Sequence, residues 1–286
     1  MRLLITADLH FGHARSEPLA VELIDRMNRT GGDVLLLVGD TGTADGDAIE
    51  RGLERFRFSG PKLFVPGNHE LWSRSDDTIA LFERDLPARI RSVGWQWLQS
   101  DPFVPPGADV AIVGSVGWYD YSFAVPELGV DRRFYQAKVS PGAAARVEAH
   151  RSLIRGDEPP EALELVARWN DGRFVRLGMT DAEFLARLIE AFDRQLASVS
   201  VVRRVVCAVH HVPFAELLPP RHGGQWDFAR AYLGSAAIGR AIARHRNVSH
   251  VVCGHSHQPA EAQVGGIRAI NVGSGYRQKR YLSLDL

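Results

Sequence analysis

The chain has 286 residues, 45% of them hydrophobic and 24% charged, enough apolar material for a large core in one or two domains. Its 34 basic and 34 acidic side chains cancel, so no global field draws in nucleic acid or an anionic lipid surface. The N-terminal apolar run is too short for a signal sequence and no run reaches membrane-spanning length, so a soluble, cytoplasmic protein is expected.

Leu3-Leu4-Ile5-Thr6-Ala7 is a continuous apolar run, the pattern of a strand covered on both faces, and it stops at Asp8-Leu9-His10-Phe11-Gly12-His13. Ser16 opens a helix with Pro18 in its first turn; Leu19, Leu23, Ile24 and Met27 make its apolar stripe and Gly31-Gly32 ends it. A second strand, Val34–Val38, ends in Gly39-Asp40, and a helix follows over about Ala48 to Phe58 with Ile49, Leu53 and Phe56 on one face. A third strand, Lys62–Val65, runs into a Pro66-Gly67 turn and then Asn68-His69-Glu70. Another helix is expected from about Ser75 to Leu86, interrupted at Pro87. Strand, helix, strand, helix, strand, helix with short connections is the βαβ pattern, and periodicity here establishes an α/β fold.

Two further strands, Gln96–Leu98 and Val110–Val113, flank a turn containing Pro102, Pro105, Pro106 and Gly107. Periodicity fades between Trp118 and Gly178, where Pro126, Pro141, Pro159 and Pro160 separate short helical pieces such as Ala143–Leu153 and Glu161–Trp169. This reads as an insertion or cap on a single domain spanning 1–286. Thr180 and Glu183 form a capping box before a helix carrying Phe184, Leu185, Leu188, Ile189, Phe192 and Leu196. The strand Val205–Val209 ends in His210-His211, and a Pro- and Gly-bearing loop runs to about Gly224. After a helix near Ser235–His245, the strand His250–Cys253 ends in Gly254-His255-Ser256-His257. A hairpin turns at Gly265-Gly266 and Tyr281–Leu284 is the last strand. The two cysteines, Cys207 and Cys253, lie inside apolar strands and read as buried thiols of a reducing compartment.

Five strand ends thus deliver Asp8 and His10, Asp40, Asn68 and His69, His210, and His255 and His257. Carboxylate, imidazole and amide without thiolate suit divalent metals such as Mn, Fe, Co or Zn. The Asp-x-His and His-x-His spacing points both side chains to one side of an extended segment. One metal takes about four to six ligands, fewer than this set offers, whereas two metals sharing a carboxylate would use them all.

The set Asp8-x-His10, Gly39-Asp40, Gly67-Asn68-His69-Glu70, His210 and Gly254-His255-x-His257, each after an apolar strand, resembles the calcineurin-like metallophosphoesterase superfamily. Asn271-Val272-Gly273-Ser274 also resembles the family's Asn-Pro-Gly-Ser, with Val in place of Pro; the family's Asp-x-x-x-Asp variant of the second motif is not evident. The resemblance implies a four-layer α/β/β/α sandwich of two mixed sheets flanked by helices, with a mixed helical and irregular insertion at about 118–178. It implies a dinuclear-metal phosphoesterase acting on phosphomonoesters or phosphodiesters. Asp8, His10, Asp40 and His257 would hold one metal and Asp40, Asn68, His210 and His255 the other, with Asp40 bridging. The metals are Mn, Fe or Zn, manganese being favoured for activity. A metal-bridging hydroxide would attack phosphorus in line, with His69 contacting the phosphate and protonating the leaving oxygen. Glu70 would orient His69 or start the next helix.

Each residue has a plainer reading. Asp8 and Asp40 could be helix caps, and His10, His255 and His257 satisfied turn histidines; five strand ends in succession weigh against that. His210 is favoured over His211 by strand phase and by the family pattern. His13 reads as a surface residue or a contact behind the ligands, and His150, His222, His245 and His250 as structural or solvated. Trp118, Tyr119, Asp120 and Tyr121 read as a packed aromatic cluster before a substrate cleft, Arg132 and Arg133 as a solvated face before a phosphate contact, and Trp72 as base stacking or core. The substrate is a phosphate ester, with a nucleotide one option, and substrate-binding residues and oligomeric state are not legible. A metal-stabilised, non-catalytic scaffold of the same fold is the alternative; an amidohydrolase-type enzyme would need eight alternating βα units that are not there.

Overall fold

The computed structural model describes residues 1–74 and 77–286. Among the described residues ten strands form two mixed five-stranded sheets. One contains β1 (Arg2–Thr6), β2 (Val34–Val38), β3 (Lys62–Val65), β4 (Gln96–Trp97) and β10 (Tyr281–Asp285) in the order β10-β1-β2-β3-β4, with only β10 antiparallel to its neighbour. The other contains β5 (Val110–Ser115), β6 (Arg204–Val209), β7 (Val248–Cys253), β8 (Ala260–Val264) and β9 (Ile267–Asn271) in the order β5-β6-β7-β9-β8, with β8 antiparallel to β9.

The continuous apolar runs arise because each central strand is covered twice. Leu3, Ile5, Leu36, Val38, Leu63 and Val65 meet Ile112, Val206, Ala208 and Val252 between the sheets. The alternate residues Leu4, Leu35, Leu37 and Phe64 pack outward with Leu23, Ile24 and Met27 of the helix Glu17–Thr30. On the second sheet Val205, Cys207 and Val251 share a core with Phe184, Leu188 and Phe192 of the helix Asp181–Ser198 and with Ile238 and Ile242. The layers are therefore helix, sheet, sheet, helix, as expected. Both cysteines are buried and unpaired, and burial pushes both thiols up. Among the described residues no helix is long and apolar enough to cross a membrane.

Several boundaries differ from the sequence expectation for identifiable reasons. The first helix buries Ala20, not Leu19, in its stripe. The second helix, Ala48–Glu54, stops four residues before Phe58 because Asn28 reaches across: its amide donates to the Arg55 carbonyl and its carbonyl accepts from the Arg57 amide. Ser75, the expected start of the third helix, lies outside the described residues. The helical path there runs from Thr78 to Ser92, and Pro87 does not interrupt it. A π-turn at Leu81–Asp85 precedes the proline, and such a turn absorbs the hydrogen bond that Pro removes. Between 118 and 178 the helices are Arg132–Gln136, Pro141–Arg146, Pro160–Glu164 and Asp171–Phe174, with a small core of Phe134, Val139, Ala143 and Ala144.

The capping box forms as the sequence indicates: the Glu183 amide donates to Thr180 Oγ1 at 3.2 Å and the Thr180 amide to Glu183 Oε2 at 2.8 Å. Thr180→Ala is expected to cost about 1 kcal/mol in denaturant unfolding, with no change in metal content. A larger loss would mean that this helix start carries more than a cap.

Candidate metal centre and cleft

The carboxyl ends of β1, β2, β3, β6 and β7 converge on one point. A strand cannot present a side chain sideways to its own end without leaving extended geometry. The chain does so by turning left-handed: Asp8 (φ 54°), His10 (49°), Asp40 (57°), His255 (66°) and His257 (57°) all lie there, and among the described residues only two other non-glycine residues do. Such conformations cost roughly 1–3 kcal/mol each and persist where surrounding structure over-determines them.

That surrounding structure is explicit. The Asp8 and His10 amides donate to the Gly39 and Asp40 carbonyls, both at 2.9 Å, tying the first loop to the second. The His255 amide donates to the Asp8 carboxylate (3.1 Å) and the Gly254 amide to the His210 carbonyl (3.1 Å). Asn271 donates to the Gly254 carbonyl and to Ser256 Oγ, locking the His-x-His turn from behind. Lys279 Nζ donates to the Asp8 carbonyl.

Glu70 lies in the first turn of the short 3₁₀ helix His69–Leu71. Its buried carboxylate accepts from the amides of Gly67 (2.6 Å), Asp40 (2.9 Å), Thr41 (2.6 Å) and Gly42 (3.2 Å), not from the His69 ring. It fastens the Asp40 loop to the Asn68 loop. Burial, with the charge of Asp40, pushes its carboxyl up to about 7 against the pull of those amides.

Ligand atoms of Asp8, His10, Asp40 and His257 all lie within 4.8 Å of one another, as do those of Asp40, His210 and His255. Asp40 is common to both groups. His10 Nε2 faces His257 Nε2 at 3.0 Å, and His210 Nε2 faces His255 Nδ1 at 3.2 Å and Asp40 Oδ1 at 3.3 Å. The outer ring nitrogens of the second group meet carbonyls: His210 Nδ1 the Val38 oxygen (2.9 Å) and His255 Nε2 the Tyr232 oxygen (3.2 Å). Those contacts leave a lone pair of each ring aimed inward. Asn68, which lines a cleft with Asp40 and His255, has its Oδ1 buried without a hydrogen-bond partner, while its Nδ2 donates to Asp171. Inward lone pairs, an unpartnered amide oxygen and a shared carboxylate are a donor set that fits two divalent cations.

The same residues set the electrostatics of the site. Burial would raise the Asp40 carboxyl, but His210, His69 and His10 outweigh it and hold the group well below the usual carboxylate range. Burial opposes charge on His210, yet Asp40 and then Asp8 push that imidazole up to about 9. Burial, with neighbouring imidazoles, holds His10 and His255 well below their usual value.

His69 belongs to neither group. It sits at the rim, its ring stacked on Trp72 at 3.6 Å and its Nε2 3.8 Å from Asp40 Oδ2. His211 lies behind His255 with Nδ1 on the Val116 carbonyl (2.9 Å), and burial followed by the charge of His210 pushes it down to about 3. Of the two adjacent histidines, His210 is the one that joins the constellation.

A cleft of about 370 Å³ opens over Asp40, Asn68, His69, His255 and His257. Its walls include Arg168 and Trp169 from the 118–178 segment, Pro219, His222, Trp226 and Arg230 from the segment after β6, and Tyr276. His222, read from sequence as structural or solvated, therefore faces the cleft. His13 is exposed but meets Tyr276, which itself stacks on His10 at 4.2 Å. Trp118, Tyr119 and Tyr121 form the packed cluster, buried and hydrogen-bonded to Asp181 and Asp171. Arg133 pairs with Asp131, Asp157 and Glu158, and Arg132 stands over Tyr121.

Sequence reading missed Asp171, Tyr276, Trp169 and Trp226. None follows an apolar strand; they lie where no period marks a face, and Trp-Asn-Asp at 169–171 offers no more than a polar break.

The motif glycines have a steric reason. A Cβ on Gly67 would lie 2.2 Å from Asp40 Oδ1, and one on Gly254 2.5 Å from Asp8 Oδ2. Gly67→Ala is expected to push the shared carboxylate aside, destabilising the fold by about 1–3 kcal/mol and weakening metal binding. Calorimetric titration that finds unchanged affinity would rule this out.

A family model described as calcineurin-like phosphoesterase matches residues 1–259. The chain is 32% identical over 128 residues to the [acyl-carrier-protein] phosphodiesterase PptH of Mycobacterium tuberculosis, a stretch covering 42% of this chain and 38% of that one. Among solved structures it resembles the phosphopantetheinyl hydrolase PptH from Mycobacterium tuberculosis, with TM-score 0.67 at 22% identity over 96% of this chain and 89% of that. It also resembles a dimetal phosphatase from Danio rerio, with TM-score 0.55 at 15% identity over 99% and 91%. At these identities the structural likeness speaks for the fold alone.

Proposed function

The chain belongs to the calcineurin-like phosphoesterase family, and from that premise we propose that it is a dinuclear-metal-dependent hydrolase of phosphoester bonds, with Asp8, His10, Asp40 and His257 around one cation and Asp40, Asn68, His210 and His255 around the other. The observation that carries this is Asp40: one buried carboxylate shared by two ligand groups built from separate strand ends. When bound, the two cations supply charge stabilisation for the phosphoryl oxygens and an acidified water as nucleophile. His69 stands at the rim of that pair, on the cleft side, and serves as the donor to the leaving oxygen. Trp72 holds its ring by stacking, and burial lowers its pKa against the pull of Asp40. Glu70, Asn271 and Lys279 hold the loops and do not meet substrate. We read 1–286 as one domain with 118–178 inserted between β5 and the helix Asp181–Ser198, and the two buried thiols suit a cytoplasmic setting.

The finer reading is a phosphodiester. The cleft is about 370 Å³ and its lining includes Trp169 and Trp226, the latter 73% exposed, which leaves room for an ester arm that a bare phosphate would not use. The Mycobacterium tuberculosis relative is named a phosphodiesterase, and the phosphopantetheine diester of a carrier protein is the first physiological candidate to try.

The test is a panel of aryl monoesters and diesters, then the carrier-protein diester, after loading with Mn, Fe or Zn. Turnover is expected with manganese, faster on diesters, and lost to chelator. Metal at about 100 times its dissociation constant should also raise unfolding free energy by about 2.7 kcal/mol. A metal-loaded sample inert toward every ester on the panel would return the scaffold reading.

A further inference from the structure

We propose that Asp171, which lies in the 118–178 segment, is the positioning residue that orients Asn68 as a metal ligand; the proposal rests on the dinuclear reading above. Asp171 is fully buried, and its carboxylate gathers four donors. Oδ1 accepts from Asn68 Nδ2 (2.9 Å) and Trp72 Nε1 (2.6 Å), and Oδ2 from Tyr119 Oη (2.9 Å) and Trp169 Nε1 (2.7 Å).

An asparagine amide carries a donor at one end and an acceptor at the other, and either can face a given direction by a half-turn. Only the oxygen can bind a cation; the NH₂ end turned inward would oppose it. A carboxylate accepts and does not donate, so it can partner only the NH₂ end. With Nδ2 held by Asp171, Oδ1 is the end left free, and it is buried with no hydrogen-bond partner in a residue that lines the cleft beside Asp40 and His255. The strand end β3 places Asn68, but the choice of end is made by a residue 103 positions further along the chain.

The same carboxylate ties in the neighbours of the site. Trp72 stacks on His69 (3.6 Å) and on Phe174 (5.2 Å) of the helix that Asp171 begins, while Trp169 meets His255 edge-on (5.9 Å). The 118–178 segment is thereby part of the metal centre's support and not only a wall of the cleft.

Asp171→Asn keeps size and removes the constraint, because an amide at 171 offers a donor as readily as an acceptor. Manganese titration of the full chain followed by electron paramagnetic resonance distinguishes one bound Mn(II) from an exchange-coupled pair. The wild type is expected to show the coupled signal. Asp171→Asn is expected to lose it, with affinity for the second manganese down about 10–100-fold and the first little changed. Tyr119→Phe removes another bond to the same carboxylate without touching Asn68 and is expected to keep the coupled pair within about threefold of wild type. The double variant Asn68→Asp/Asp171→Asn restores a match: a carboxylate at 68 has two equivalent oxygens and needs no orienting, so the coupled signal should return.

Asp171→Asn binding two manganese ions as tightly as wild type would overturn the proposal, as would a double variant that folds and binds one. Equal losses in Asp171→Asn and Tyr119→Phe would reduce Asp171 to general packing and overturn it as well. If the single variant does not fold, the double variant decides. A wild type that itself binds one manganese refutes the dinuclear reading, and this proposal with it, and is recognised before any variant is made.

Discussion

Asp40→Asn should abolish turnover and the binding of both cations together, a fall in kcat/KM on the order of 10⁴-fold or more, since groups that act as one unit fail together. Every other residue of the two candidate groups belongs to one of them; Asp40 belongs to both. The change is nearly isosteric, so the loss would be electrostatic. It removes the charge that the two groups share and leaves an amide whose NH₂ end can face a cation. The metal-free protein offers a second readout. His210 has its pKa raised from an ordinary 6.5 to about 9 chiefly because Asp40 outweighs its burial. A folded-state pKa above the unfolded one means the pair's stabilisation is complete below about 6.5 and is lost as pH rises through about 9. Chelated wild type should therefore lose stability across that window, and chelated Asp40→Asn should show a weaker slope, with only Asp8 and the Val38 carbonyl left to raise the imidazole. A variant that keeps two cations and turns over substrate would sink the bridging role.

His69→Ala is expected to keep both cations and lose roughly 10²–10⁴-fold in kcat, or about 2.7–5.5 kcal/mol of transition-state stabilisation. Metal retention follows from its place outside both ligand groups. The loss should depend on the leaving group. A nitrophenolate departs without a proton, so nitrophenyl esters should suffer least, and alkyl diesters, whose alkoxide must be protonated, most. A uniform loss across leaving groups would assign His69 to phosphate contact alone. No loss at all, in a metal-loaded variant, would remove it from the reaction.

Much of the site was readable because its parts are local. An apolar run of four or five residues ending in Asp, Asn or His leaves its mark within a few residues of chain, and five such marks in order point to a shared edge. Glu70 was visible as part of Asn-His-Glu, yet its role was not, because its partners are amides of the Asp40 loop some 30 positions away. Asp171 was not visible at all: a lone acid between short helical pieces has no period and no strand before it. The helix at Pro87 shows the same limit, since whether a proline breaks a helix or sits beside a π-turn depends on what its flanks pack against.

Residue pattern was sufficient for the α/β class and for the strand ends whose Asp and His side chains the structure brings together. Alternation, apolar runs and turn residues act over a few positions, and a strand's end is a local event. Which ring nitrogens of His210 and His255 meet carbonyls, which end of Asn68 meets Asp171, what Glu70 fastens and which walls stand over the cleft were settled only by the packed chain. Those depend on hydrogen bonds between residues 30 to 250 positions apart, such as Asn68 with Asp171 and His255 with Asp8. Directional bonds of that kind have no periodic trace in the sequence, because their geometry exists only once the two sheets have brought the loops together.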